Sequence, residues 1–75
     1  MLLREFAVEN HTISLIEEDD IYIAKVIDKN GEKLLYNEYN DYEKIKSCFD
    51  KIVQAIEIDN IGIEDVIKII ERSTI

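Results

Sequence analysis

Hydrophobic positions alternate in single steps up to residue 39 and then recur every three or four residues, so strands are predicted first and helices after them. In residues 2–9, Leu2, Phe6 and Val8 point one way and Leu3, Glu5 and Ala7 the other, the pattern of a half-buried strand. Asn10-His11 reads as a two-residue turn, because both residue types tolerate positive φ better than most. That turn would pair Val8 with Ile13, Phe6 with Leu15 and Arg4 with Glu17. The second strand, about residues 12–17, meets Glu17-Glu18-Asp19-Asp20, four adjacent carboxylates that repel one another and resist burial. The next turn is predicted there as a loop of two or four residues, either length keeping the same parity, with Ile16 facing Ile21 and Leu15 facing Tyr22. Asn30-Gly31 is the strongest turn dipeptide in the chain, since a type I′ turn needs positive φ at both central residues. It would join strands at about residues 21–28 and 32–39, with Val26 opposite Leu35 and Tyr22 opposite Tyr39.

After Tyr39 the period changes. Asn40 can cap a helix with Glu43 three residues on, and Ile45, Cys48, Phe49, Ile52, Val53 and Ile56 then form one apolar stripe on a helix of about residues 41–57. Residues 57–62 read as a linker in which Asn60 and Gly62 can take the backbone angles of a reversal. A second helix, about residues 63–73, has Glu64 and Asp65 in its first turn and Arg72 near its end, charges that suit the helix dipole. It is too apolar to stand alone, and must pack on the first helix, on the sheet or on another chain. The order is ββββαα, an α+β fold in which a four-stranded antiparallel meander carries two C-terminal helices on one face, within a single domain over residues 1–75.

The three turns together put Phe6, Val8, Ile13, Leu15, Tyr22, Ala24, Val26, Leu35 and Tyr39 on one side of the sheet, which is the predicted core side. The other side carries Ile16, Ile21, Ile23, Ile27, Leu34 and Tyr36 beside Ser14, Lys25 and Glu38. A sheet face left to water is normally polar, so this one is expected to be covered by something.

Composition narrows the function. At 75 residues, with one cysteine and one histidine, the chain has neither an internal disulfide nor a zinc ligand set, so packing or a partner must stabilise it. A net charge of −8 argues against direct nucleic-acid binding, whose electrostatic footprint is basic. The first residues, MLLREFAVEN, hold an acid by the fifth position and no apolar run of signal-peptide length, and no stretch reaches the roughly 20 apolar residues of a membrane span. A cytoplasmic location without membrane contact is therefore expected.

Candidate chemistry is sparse. His11, near a predicted hairpin tip, lacks the pocket and the orienting third group that a nucleophilic site requires. Cys48 falls on the apolar stripe, where a free cysteine behaves as a small buried hydrophobe. The acidic run lacks the spaced ligands and central glycine of a calcium loop, and two glycines, Gly31 and Gly62, make no phosphate-binding loop. Neither enzymatic activity nor a cofactor or metal is expected.

Two functional expectations remain. In the first, Glu17, Glu18, Asp19 and Asp20 steer the chain to a basic, nucleic-acid-handling protein, and Ile21, Ile23, Ile27, Leu34 and Tyr36 supply contact area, so the chain acts as a protein-binding inhibitor. In size, acidity and the local run Glu17 to Asp20, the chain resembles phage-encoded counter-defence proteins such as the anti-CRISPRs. That resemblance implies inhibition of a bacterial CRISPR effector or nuclease by blocking its nucleic-acid channel. In the second, the apolar sheet face makes a homodimer with a structural or regulatory role, and the negative charge serves solubility.

Overall fold

The computed structural model describes residues 1–73 and has the predicted ββββαα order: β1 (Leu2–Val8), β2 (His11–Glu18), β3 (Ile21–Ile27), β4 (Lys33–Tyr39), α1 (Tyr42–Asp59) and α2 (Ile63–Arg72). The strands form one antiparallel sheet in the order β1-β2-β3-β4. Both helices pack on the same face. Val8, Ile13, Leu15, Ala24, Val26, Leu35 and Tyr39 from the sheet meet Ile45, Cys48, Phe49 and Ile52 of α1 and Val66 and Ile70 of α2 in one core. Phe6 sets its ring edge against Phe49, with centroids 6.1 Å apart and planes at 77°. The Tyr39 hydroxyl donates to the Ile70 carbonyl at 3.3 Å, which ties the last strand to α2. Thus α2 takes its cover from the core already made by the sheet and α1, and leaves the other sheet face open.

The first and third turns differ from expectation, the second takes the shorter of its two expected lengths, and all three keep the predicted division of faces. The first turn is Glu9-Asn10, both at positive φ, rather than Asn10-His11. Val8 therefore pairs with His11, Phe6 with Ile13 and Arg4 with Leu15, a shift of two residues along β2 that preserves side-chain parity. The reason lies far away in the chain. The Glu9 carboxylate accepts the Ile63 amide at 2.6 Å, capping α2, whose N-cap residue Gly62 has no side chain to do so. A Cβ at Gly62 would collide with that carboxylate oxygen, so the glycine makes room for the contact.

The second turn is the two-residue Asp19-Asp20, again with both residues at positive φ, so Glu17 and Glu18 belong to β2 and Glu18 pairs with Ile21. The third turn is not type I′ on Asn30-Gly31, since of these two Gly31 alone has positive φ. Asp28 holds it instead: its carbonyl accepts the Gly31 amide at 3.0 Å, and its carboxylate accepts the amides of Asn30 and Glu32 at 2.8 and 2.9 Å. The longer loop shifts the register by one residue, and a bulge at Leu34 shifts it back, so Ile27 pairs with Lys33 while Val26 meets Leu35 as predicted.

A second bulge, between Leu2 and Arg4, overturns the predicted start of β1. Leu3 packs against the core, whereas Leu2 is 53% exposed and pairs with Ile16. At the start of α1 the cap is Asp41, not Asn40, and its carboxylate accepts the Lys44 amide at 3.3 Å. The helix runs on to Asp59 and ends on Asn60, whose left-handed backbone lets its amide reach the Ile56 carbonyl at 3.2 Å.

Candidate protein-binding face

The open face follows from the ladder register, since directly paired residues point the same way. Four rows cross it. Glu18 and Ile21 stand beside the Asp19-Asp20 turn, followed by Leu2, Ile16, Ile23 and Glu38, then Glu5, Ser14, Lys25 and Tyr36, and finally Ala7, Thr12, Ile27 and Lys33. Glu5, Ser14 and Lys25 of the third row therefore divide the apolar residues into two patches. One, made by Leu2, Ile16, Ile21 and Ile23, adjoins the acidic turn and Glu38. The other, made by Ile27 and Tyr36 with Leu34 at the nearby bulge, lies among lysines, and Lys33 sits 4.5 Å from the centre of the Tyr36 ring. Six residue steps along β3 separate Ile21 from Ile27, roughly 20 Å at the rise of a strand.

The residues singled out from sequence thus do not form one site. Glu18, Asp19, Asp20, Ile21 and Ile23 come together at one end. Ile27, Leu34 and Tyr36 lie at the other, where Leu34 is 45% and Tyr36 44% exposed. Glu17 lies on the helix-bearing face, because it pairs with the core-side residue Tyr22. There its charge acts on the Tyr22 phenol, whose pKa is pushed up by burial first and then by Glu17 and Asp20. The Tyr42 ring lies against Tyr22 with centroids 5.1 Å apart.

Ile23 also departs from its expected role as an exposed contact residue. It is only 4% exposed, enclosed within the sheet surface between its ladder partners Ile16 and Glu38. Its contribution to a partner's contact area is consequently small, while Ile16 and Ile21 are half-buried and reachable. Leu2 joins this patch only because of the bulge, a shift that alternation along β1 does not reveal. Ser14 is buried nearby and donates from its hydroxyl to Glu5 at 3.4 Å.

The other chemical candidates have structural surroundings. The His11 ring is half-buried at the start of β2, and its Nδ1 donates to the Glu9 carbonyl at 2.7 Å. Cys48 is buried against α2, and its thiol donates to the Ile69 carbonyl at 3.9 Å. Among the described residues, no three acids, histidines or cysteines are grouped to hold a metal ion, and no helix is long and apolar enough to cross a membrane.

Compared with protein-family models, curated proteins and solved structures, the chain finds no match in any of the three. An apolar patch of Leu2, Ile16 and Ile21, edged by Glu18, Asp19, Asp20 and Glu38, presents contact area and negative charge together. Such a combination suits a protein surface that is both apolar and basic.

Proposed function

We propose that this chain is a non-enzymatic, protein-binding inhibitor that docks the acidic end of its open sheet face on a basic, nucleic-acid-handling protein such as a bacterial CRISPR effector or nuclease. The observation that carries this reading is the adjacency of the Leu2–Ile16–Ile21 patch to Glu18, Asp19, Asp20 and Glu38 on a face that neither helix covers. Surfaces built to hold phosphates are basic, and closely spaced carboxylates can occupy them in place of a nucleic-acid backbone. The single thiol, Cys48, suits a reducing cytoplasm, where such a target would be met.

The turn's backbone supports the reading as well. Asp19 and Asp20 both hold left-handed angles, at φ 50° and 66°, where Asn-Gly would be accommodated at lower cost. Strain of that kind is consistent with selection for the carboxylates themselves. The homodimer reading has less support, because two copies each of charge −8 repel one another across the same face.

The test uses the triple variant Glu18→Gln, Asp19→Asn, Asp20→Gly, which removes three charges while giving the turn its preferred residues. Binding of wild type and variant to a candidate effector is measured by titration calorimetry over a range of salt. The proposal expects the variant to bind at least tenfold more weakly, with a flatter salt dependence. Equal affinity and equal salt slope would remove the acidic end from the interface. Sedimentation of the wild type at tens of micromolar is expected to show a monomer, and a dimer that persists in high salt would favour the alternative.

A further inference from the structure

The opposite side of the molecule holds a groove of different chemistry. Lys44, Ser47, Cys48 and Lys51 follow one another at i, i+3, i+4 and i+7, so they share one face of α1. That face meets Ile69, Arg72 and Ser73 at the end of α2, and the seven residues line a groove of about 430 Å³. Three of the chain's nine cations converge here in a protein of net charge −8, and no acidic side chain is among the described residues lining the groove. Cys48 and Ile69 give it an apolar wall, while Ser47 and Ser73 add hydroxyls.

The charge reaches the groove floor. Burial pushes the Cys48 thiol up from its ordinary value, whereas the neighbouring Ser73 and the positive charge of Lys51 pull it the other way. Ser73 is itself positioned by its hydroxyl bond to the Ile70 carbonyl at 2.7 Å and by the Tyr39 hydroxyl at 3.3 Å. One of the two groove hydroxyls therefore stands on an ordered frame instead of a free side chain.

From this placement we propose that the α1–α2 groove is a binding site for the phosphate group of a small organic phosphomonoester, with Lys51 and Arg72 at the anion, Ser47 as a hydroxyl donor, and Ile69 against the organic part. A phosphomonoester dianion matches several cations better than a carboxylate or sulfonate does, and Arg72 can meet two of its oxygens at once. The apolar wall favours an organic ester over the bare ion, and the volume admits a small molecule. This site is independent of the open sheet face and goes beyond the inhibitor reading.

The test is an amide-resolved NMR titration of the full chain with phenyl phosphate, inorganic phosphate and benzenesulfonate at matched ionic strength. Phenyl phosphate is expected to bind several-fold tighter than either of the others, with saturating shifts at Ser47, Cys48, Lys51, Ile69, Arg72 and Ser73. The double variant Lys51→Gln, Arg72→Gln replaces two exposed side chains and should weaken binding at least tenfold, with the fold checked by circular dichroism. Lys29→Gln, on the distant β3–β4 turn, should leave it unchanged. Equal binding of all three probes, or shifts spread equally over Lys25, Lys29 and Lys33, would overturn the site, as would a folded double variant of undiminished affinity.

Discussion

The two faces of the sheet are built from alternate residues of the same strands, yet they differ in what holds them. On the helix side Ile13, Ala24, Val26, Ile45, Phe49, Ile52, Val66 and Ile70 are wholly enclosed. Among the described residues of the open side, only Ile23 and Ser14 are buried, and they are enclosed by neighbours within the sheet rather than by a second layer. Hydrophobic content alone does not separate the faces, since isoleucine is abundant on both. What separates them is whether a second element supplies interlocking surface, which decides how strongly each residue resists replacement.

The widest gap between the faces is expected at Phe49 and Tyr36. Phe49→Ala opens a cavity beneath the sheet and should cost about 3–5 kcal/mol, a large part of the stability available to so small a chain. Tyr36→Ser removes an aromatic of similar size from the open side and should change stability by about 0.5 kcal/mol or little more. Urea unfolding of both variants checks the contrast, and equal losses would mean that the open face is covered in solution. Ile23→Glu should fall between these two, at about 1–3 kcal/mol, because it puts a carboxylate into the one enclosed apolar position of the open face. A variant as stable as wild type in the same unfolding assay would show that Ile23 is exposed after all.

Glu9→Ala sharpens the comparison at the helix side's margin. Loss of the cap on Ile63 should cost about 1 kcal/mol and speed amide exchange in the first turn of α2 more than in α1. Uniform acceleration of both helices would instead make the effect global. The smallest effect is expected at Asp50, whose carboxylate lies 2.6 Å from Arg4 and 3.4 Å from Lys46. The hydrogen bond from Arg4 chiefly holds its pKa below the usual value, with Lys46 assisting and desolvation opposing. Because the folded-state value is lowered, the pair's contribution is present above the ordinary carboxylate range and fades as pH falls through the depressed folded value. In Arg4→Gln, NMR titration of the Asp50 carboxyl should show its pKa moving up towards that of a free aspartate, and no movement would exclude the pair as its cause.

The division of faces was legible in the sequence because it depends on parity alone. Phe6 and Ile13 belong to the core side whether the first turn is Glu9-Asn10 or Asn10-His11, since either choice shifts the pairing by an even number of residues. Turn identity was not legible, because distant partners determine it. Glu9 accepts a left-handed backbone in a chain where Ile63 needs its carboxylate, and local preference says nothing of that. Asp28 likewise displaced the type I′ turn expected at Asn30-Gly31 by offering its carboxylate to two amides. The candidate face was visible as an excess of isoleucine, but its division into an acidic and a basic end was not. That division needed the register across all four strands and the bulge that brings Leu2 beside Ile16. The α1 half of the groove was present in the letters as the spacing of Lys44, Ser47, Cys48 and Lys51, but its other half was not, because only the packing of α2 brings Arg72 beside it.

The Glu9 cap also gives the molecule an order of assembly. The carboxylate and the amide it accepts lie 54 residues apart, so during synthesis the hairpin that carries the acceptor emerges well before its donor. Until then the strands and α1 can close over one another, but Val66 and Ile70 are absent and Tyr39 lacks its acceptor on α2. The last helix is in this sense a latch, and Glu9 is the catch that the first turn holds ready for it.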